Sequence, residues 1–211
     1  MAYLKFYMTP GSCSTGIHIL LEELELVFEA YVINLMAGDQ FKPEYLAINP
    51  RGSVPALVTE EGKALTSWQS IACKLAESYP KARLLPDDEE EKTRVMKVMD
   101  YAVNTMHGEG FARIFTTDKF SMDDNDAKDK LALGRRILDK GFAKLDAALG
   151  DRDYIAGHFS IADSALFYIE FWADRTDIPL PPNCRGYRDV RERLLPCLTL
   201  HHHKCAIHAV A

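Results

Sequence analysis

What the sequence lacks narrows its reading first. It has no run of eighteen apolar residues, so no segment reads as membrane-spanning. It has no basic block, and its net charge is −6, which argues against broad nucleic-acid binding. Its five cysteines, Cys13, Cys73, Cys184, Cys197 and Cys205, are odd in number and lack zinc-finger spacing. Free thiols in a reducing cytoplasm are expected, with no metal site. No internal repeat occurs. The opening MAYLKFYMTP lacks the charged and apolar regions of a signal peptide and alternates like a strand instead.

What is present is ordinary globular composition: 211 residues, 47% hydrophobic, 27% charged and 10% aromatic. A chain of this length buries roughly 70% of its unfolded surface, so it needs no disulfide or metal staple. Residues 3–8 alternate as a strand, with Leu4, Phe6 and Met8 on one face. After the turn Pro10-Gly11-Ser12, the spacing of Ile17, Leu20, Leu21 and Leu24 predicts a helix. Residues 27–34 return to strand alternation. Val54 to Val58 and Lys63 to Leu65 flank Glu61-Gly62 as a hairpin, and 67–79 read as a helix. A parallel βαβ start joined to an antiparallel hairpin fits a small α/β domain over 1–80.

The character then changes. Pro86 followed by Asp87-Asp88-Glu89-Glu90-Glu91 reads as a linker, 81–86, and then an acidic helix start. Val95, Val98, Met99, Ala102 and Met106 mark one helix, and Leu131, Leu138, Phe142, Leu145 and Leu149 mark another. Helices are also expected over Ile161 to Trp172 and over 187–195. The region 87–211 is expected to be all-helical. Ser160 and Asp163 have the spacing of a capping box, a folding signal rather than a catalytic one.

Three places can carry chemistry. Cys13 lies between a strand and a helix start, where partial positive charge and N–H groups favour a thiolate. Ser14 beside it reads as a helix cap or as a hydroxyl donor, and Tyr7 as a packing residue whose hydroxyl can reach the same place. Val54-Pro55 begins a strand with a residue that cannot donate to a ladder. A cis bond there would turn the Val54 backbone groups outward to a ligand; an ordinary trans proline is the alternative. Cys197, His201, His202, His203, Cys205 and His208 resemble a metal cluster in composition alone and read as an incidental tail.

Taken in order, these motifs resemble the cytosolic glutathione transferases: Tyr7, the Cys13-Ser14 turn, Asn49-Pro50-Arg51-Gly52, Val54-Pro55-Ala56-Leu57, and the capping box before Ile161-Ala162-Asp163. The resemblance covers nearly the whole chain and is weakest after residue 184. It is nearest to the bacterial beta class, with its Pro-Gly-x-Cys-Ser turn, a histidine a few residues on (His18) and another in the first long helix (His107). It implies a thioredoxin-like domain over 1–80 and an all-helical domain over 87–211 that shapes the site for an electrophile. Glutathione is the implied co-substrate. Cys13, Ser14 and Tyr7 are the implied catalytic residues, and Val54, Pro55, Ser67, Trp68, Asp100 and His107 the glutathione-binding ones. Phe111, Arg113 and Phe115 are implied to meet a hydrophobic electrophile.

The chain departs from the family where an acidic residue usually opens the third helix. Ser67 and Trp68 stand there, so the partner of the ligand's ammonium group is in question; Asp100, reaching across a homodimer, can supply the charge. The expected function is a cytoplasmic, bacterial-type detoxifying transferase that acts on no nucleic acid and no membrane. A non-catalytic binding protein and a glutathione-dependent thiol–disulfide reductase are the rivals.

Overall fold

The computed structural model describes residues 3–117, 122–186 and 206–209. The chain divides into two compact units, Met1–Leu84 with Glu192–Ala211, and Leu85–Arg191.

In the first unit, β1 (Leu4–Met8), α1 (Ser14–Glu23) and β2 (Phe28–Val32) form a βαβ unit, with β1 and β2 parallel and Tyr7 opposite Tyr31. After the short α2 (Pro43–Leu46), β3 (Ala56–Val58) runs antiparallel to β1. It forms a hairpin with β4 (Ala64–Leu65), and α3 (Trp68–Ser78) follows. The hairpin turns at Gly62, whose φ of +82° is one that glycine adopts without steric cost.

Strand alternation sorts the side chains. Phe6 and Phe28 are buried and meet edge-on, and His18 of α1 lays its ring against both. His18 is thus a packing residue, tied to Glu22 at 3.3 Å. On the other face Tyr7, Ile33, Tyr45 and Ala56 form a second cluster, into which α2 brings Tyr45.

The sheet order is β4-β3-β1-β2-β5, where β5 (Ala206–Ala209) lies parallel to β2. The expectation of helix from 87 to 211 is corrected here. Four residues are too few for alternation to stand out, and the open edge of β2 offers backbone groups to any segment that reaches it. The helix expected at 187–195 and residues Cys197, His201, His202, His203 and Cys205 lie outside the described residues, as does the side chain of His208.

Between 85 and 191 every described element is helical. Asp88 caps α4 (Glu89–Asp100) by accepting from the N–H groups of Glu90 and Glu91, and the acidic first turn suits the helix dipole. The helix continues as a π-helical segment, Tyr101–Phe111, and then α5 (Ala112–Phe115). The sequence spacing suggests an ordinary helix here. The buried residues are Ala102, Val103, Met106, Gly110 and Phe111, and the step of five from Met106 to Phe111 suits the wider i to i+5 winding.

Asp123 caps α6 (Asp124–Leu149), which stops at Gly150. Next comes α7 (Ile161–Arg175), buried on nearly all sides, and then α8 (Pro182–Gly186). The Asp163 carboxylate accepts from the N–H groups of Ser160 at 2.8 Å and Ile155 at 3.0 Å, and from the Ser160 hydroxyl. The motif seen in the sequence therefore caps α7 and also holds the loop before it. No helix among the described residues is long and apolar enough to cross a membrane.

Glycines let the π-helical segment approach α6. A Cβ at Gly134 would stand 2.9 Å from the Gly110 carbonyl oxygen, and one at Gly141 would stand 2.9 Å from the Met106 side chain. Backbone cannot yield as a side-chain tip can. Gly134→Ala is therefore expected to destabilise the protein by about 1–3 kcal/mol through overpacking. At Gly108 the nearest atom is 3.6 Å away, an ordinary contact. Gly108→Ala should be neutral or stabilising by up to about 1 kcal/mol through helix propensity. Thermal melts of the two variants check the contrast.

Candidate functional site

The turn after β1 is built by its own hydroxyls. Ser14 is fully buried at the start of α1; its Oγ accepts from the Thr9 N–H and donates to the Thr9 carbonyl, both at 3.0 Å, and lies 2.6 Å from Ser12 Oγ. The sequence allows Ser14 as a helix cap, but the cap position belongs to Cys13, and the Ser14 hydroxyl closes the turn back onto β1. Short hydroxyls compete well for local backbone, and here the strand end lies nearer than the helix N–H groups.

Cys13 is where distant segments meet. Its thiol donates to the Val54 carbonyl at 3.4 Å, and its own carbonyl accepts from the Trp68 indole N–H at 3.0 Å. Val54–Pro55 is cis. Behind it, the Ser53 carbonyl accepts from the Tyr45 hydroxyl and from Asn49 Nδ2, each at 2.6 Å. Ser67 caps α3 by accepting from the Ser70 N–H, and Trp68 lies beneath it, almost fully buried. The Arg51 guanidinium donates to the Thr66 carbonyl. Cys13, Val54, Pro55, Ser67 and Trp68 are thus gathered in one unit from three parts of the chain.

The expectation of a thiolate-prone Cys13 is corrected. The backbone N–H groups of Cys13 and Ser14 do favour the anion. Burial opposes them and prevails, pushing the thiol up to about 12. In this structure Cys13 is a neutral S–H donor.

Tyr7 packs, as its place in the strand suggests. Its ring stacks on Tyr31 at 4.8 Å and packs against Tyr45 at 5.8 Å, and burial raises its hydroxyl pKa, with Glu29 adding to the rise. It supports the site from within the sheet and makes no hydrogen bond to Cys13. Tyr31 hydrogen-bonds to the Glu29 carboxylate instead.

In the second unit the π-helical segment carries His107 and Phe111 toward α7. His107 meets Trp172 edge-on at 4.9 Å, and the Tyr168 hydroxyl lies 3.4 Å from its Nδ1. Burial lowers its pKa to about 4, so it is neutral near pH 7. Trp172 also packs against Phe111, Phe115 and Tyr168 at 5.0–5.3 Å. Phe111 is fully buried and serves as backing, whereas Phe115 is 48% exposed. Arg113 turns back to the Glu109 carbonyl at 2.6 Å. Asp100 is exposed and accepts from Asn104 Nδ2 at 2.6 Å. Tyr45 and Tyr168 are not singled out by the sequence, Asn49 enters only within the motif Asn49-Pro50-Arg51-Gly52, and Trp172 only as the end of a helix; the structure gives a site role to Tyr168 and Trp172 together. For the last two the available signal was their spacing of four on one helix face. Among the described residues no group of histidine, cysteine and acidic side chains is placed to hold a metal ion.

Comparison with known proteins agrees with this geometry. The model of the glutathione S-transferase N-terminal domain matches residues 11–78, and that of the C-terminal domain matches 125–192. Glutathione S-transferase GstA of Escherichia coli O157:H7 is 32% identical over 177 residues, covering 81% of this chain and 82% of that protein. A glutathione transferase homologue from Sulfitobacter, solved with bound glutathione, is 27% identical with a TM-score of 0.81, over 95% of this chain and 97% of that one. A bacterial beta class glutathione S-transferase from Sphingomonas chungbukensis is also 27% identical, with a TM-score of 0.76 over 94% and 98% of the two chains.

Two outcomes follow from the titrating groups. Cys13 should react with alkylating agents more slowly than the partly exposed Cys73 near neutral pH. Its rate should climb through the ordinary thiol range, about pH 8.5, without levelling off. Peptide mass spectrometry after timed alkylation reads both rates. His107 is held neutral in the fold but takes a proton when unfolded. Stability should therefore be complete above the ordinary histidine value of about 6.5 and should fall as pH drops from there toward about 4. Denaturant melts across that window should show a shallower fall in His107→Phe.

Proposed function

This chain belongs to the glutathione S-transferase family, and we propose that it binds glutathione through its first unit and transfers the bound thiol to an electrophilic small molecule. One observation supports this most directly: the Cys13 turn, the cis Val54–Pro55 bond and the capped start of α3 are joined by hydrogen bonds into one cradle. Related proteins solved with bound glutathione, from Sulfitobacter and a sphingomonad, support the choice of ligand.

The donor set suits a peptide that bears a thiol and carboxylates. The first turn of α3, capped by Ser67, directs backbone N–H donors at a carboxylate. The backbone of Val54 offers polar groups to a peptide unit. Bound glutathione supplies the nucleophilic sulfur. Near that sulfur the start of α1 contributes the positive end of its helix dipole, which favours an anion. The Cys13 thiol, being neutral, can turn from the Val54 carbonyl and donate to a neighbouring thiolate rather than repel it. Ser14 and Tyr7 act from behind, by fixing the turn and the sheet. In the second unit, His107 and the exposed face of Phe115, backed by Phe111 and Trp172, offer an apolar surface to the electrophile, with Arg113 at its edge. Asp100, on a homodimer's partner copy, brings a carboxylate to the ligand's ammonium group.

Calorimetric titration with glutathione and turnover of an activated aryl halide test this reading. Saturable binding and conjugation are expected. Cys13→Ala should keep binding but lose about tenfold in turnover, as a weak donor to the developing anion is removed. No binding of glutathione would overturn the proposal. Binding without turnover would favour a non-catalytic carrier, a reading that the absence of an acidic residue at Ser67 and Trp68 keeps open. Turnover of disulfides alone would favour a reductase.

A further inference from the structure

We infer that Trp68 is a positioning residue for Cys13, so that the start of α3 and the Cys13 thiol shift as one unit; the functional meaning of this rests on the glutathione reading above. Trp68 is the first residue of α3 and only 4% exposed. Its indole N–H reaches across 55 residues of sequence to the Cys13 carbonyl at 3.0 Å, in a buried bond. The same carbonyl accepts the Gly16 N–H at 3.2 Å, the bond that closes the first turn of α1. One oxygen therefore fixes both the first turn of α1 and the start of α3.

With its backbone held there, Cys13 can aim its thiol only by side-chain rotation. The rotamer it adopts places Sγ against the Val54 carbonyl. The other end of this linkage is just as well anchored. Ser67, the residue before Trp68, caps α3, and Arg51 holds the Thr66 carbonyl. A carboxylate drawn to the first turn of α3 pulls on Ser67 and Trp68, and the indole bond carries that displacement to Cys13. An aromatic ring without a donor would fill the space and break the connection. Trp68 thus sets how deeply the thiol is buried, and through burial whether it remains a neutral donor.

The test uses the full chain with Trp68→Phe, which keeps an aromatic ring and removes the N–H. Alkylation of Cys13 is followed by peptide mass spectrometry from about pH 7 to about pH 10, with Cys73 as internal reference, a span that brackets an ordinary thiol. The Cys13 rate should rise about tenfold relative to Cys73, and its pH profile should move down toward the ordinary thiol range of about 8.5. A merely structural role would lower the melting temperature and speed both thiols together, without moving the Cys13 profile.

A second measurement leaves Trp68 in place. The sequence has two tryptophans, so in Trp172→Phe the emission reports Trp68 alone. Alkylating Cys13 in that variant should shift the emission. A Cys13-to-Cys73 ratio in Trp68→Phe within about twofold of the parent, the scatter expected of an uncoupled pair, overturns the inference. So does an emission indifferent to Cys13. Protection of Cys13 by glutathione is scored separately in the unmodified protein. Its failure overturns the glutathione reading while the two thiol–tryptophan measurements stand.

Discussion

The carbonyl oxygen of Cys13 is the point on which the first unit's site depends. A buried amide hydrogen bond adds only about 1 kcal/mol net, but a buried donor left without a partner costs about 1–3 kcal/mol. Trp68, almost wholly buried, therefore fits where its N–H is met, and the Cys13 carbonyl meets it. Sheet topology makes the meeting possible. With β1 central and β3 antiparallel beside it, the end of β1 and the start of β3 lie together, and α1 begins at that edge. Ligands of open α/β sheets gather at the carboxyl ends of the parallel strands for the same reason: helix N-termini and loop backbone collect there. The hydroxyls of Ser12 and Ser14 and the amide of Asn49 satisfy the turn backbones.

The second unit depends on close approach. Gly110, Gly134 and Gly141 remove the side chains that would keep α6 from the π-helical segment. The wider winding then sets Met106 and Phe111 inward and leaves His107 against Tyr168 and Trp172. Ring contacts of this geometry add about 0.5–1.5 kcal/mol each beyond burial, so the group around Trp172 is stiff. Stiffness matters for Phe115, because an exposed ring held by buried ones can present a fixed flat surface rather than collapse onto its neighbours.

Much of this was legible in the sequence, for reasons that differ by residue. Periods of two and 3.6 revealed the strands, α1, α3, α4 and α6, since burial of one face imposes them. The Ser160 and Asp163 pair revealed the start of α7, since the cap bond fixes residue type and spacing together. The segment order and the motifs around Cys13 and Val54 pointed to the family. Other features left no such trace. The π winding shares its buried positions with an ordinary helix as far as Met106. The β5 strand is drawn to an edge rather than announced by its own four residues. The Trp68 bond joins residues 55 apart, and nothing in the local pattern of Leu65-Thr66-Ser67-Trp68 discloses its partner.

The direction of the Cys13 shift shows why position along the chain is not enough. A helix N-terminus favours an anion by about 0.3–1 kcal/mol at an exposed site, and by up to about 2 in the best buried ones. Moving a thiol from 9.0 to about 12 corresponds to about 4 kcal/mol against ionisation. Burial therefore wins at this site, and sequence position reports only the smaller contribution. The outcome is chemically useful. Two thiolates side by side would repel, whereas a neutral thiol beside a thiolate supplies a hydrogen bond. The burial that opposes ionisation keeps the Cys13 thiol a hydrogen-bond donor, here to the Val54 carbonyl, within a field of N–H groups too weak to ionise it.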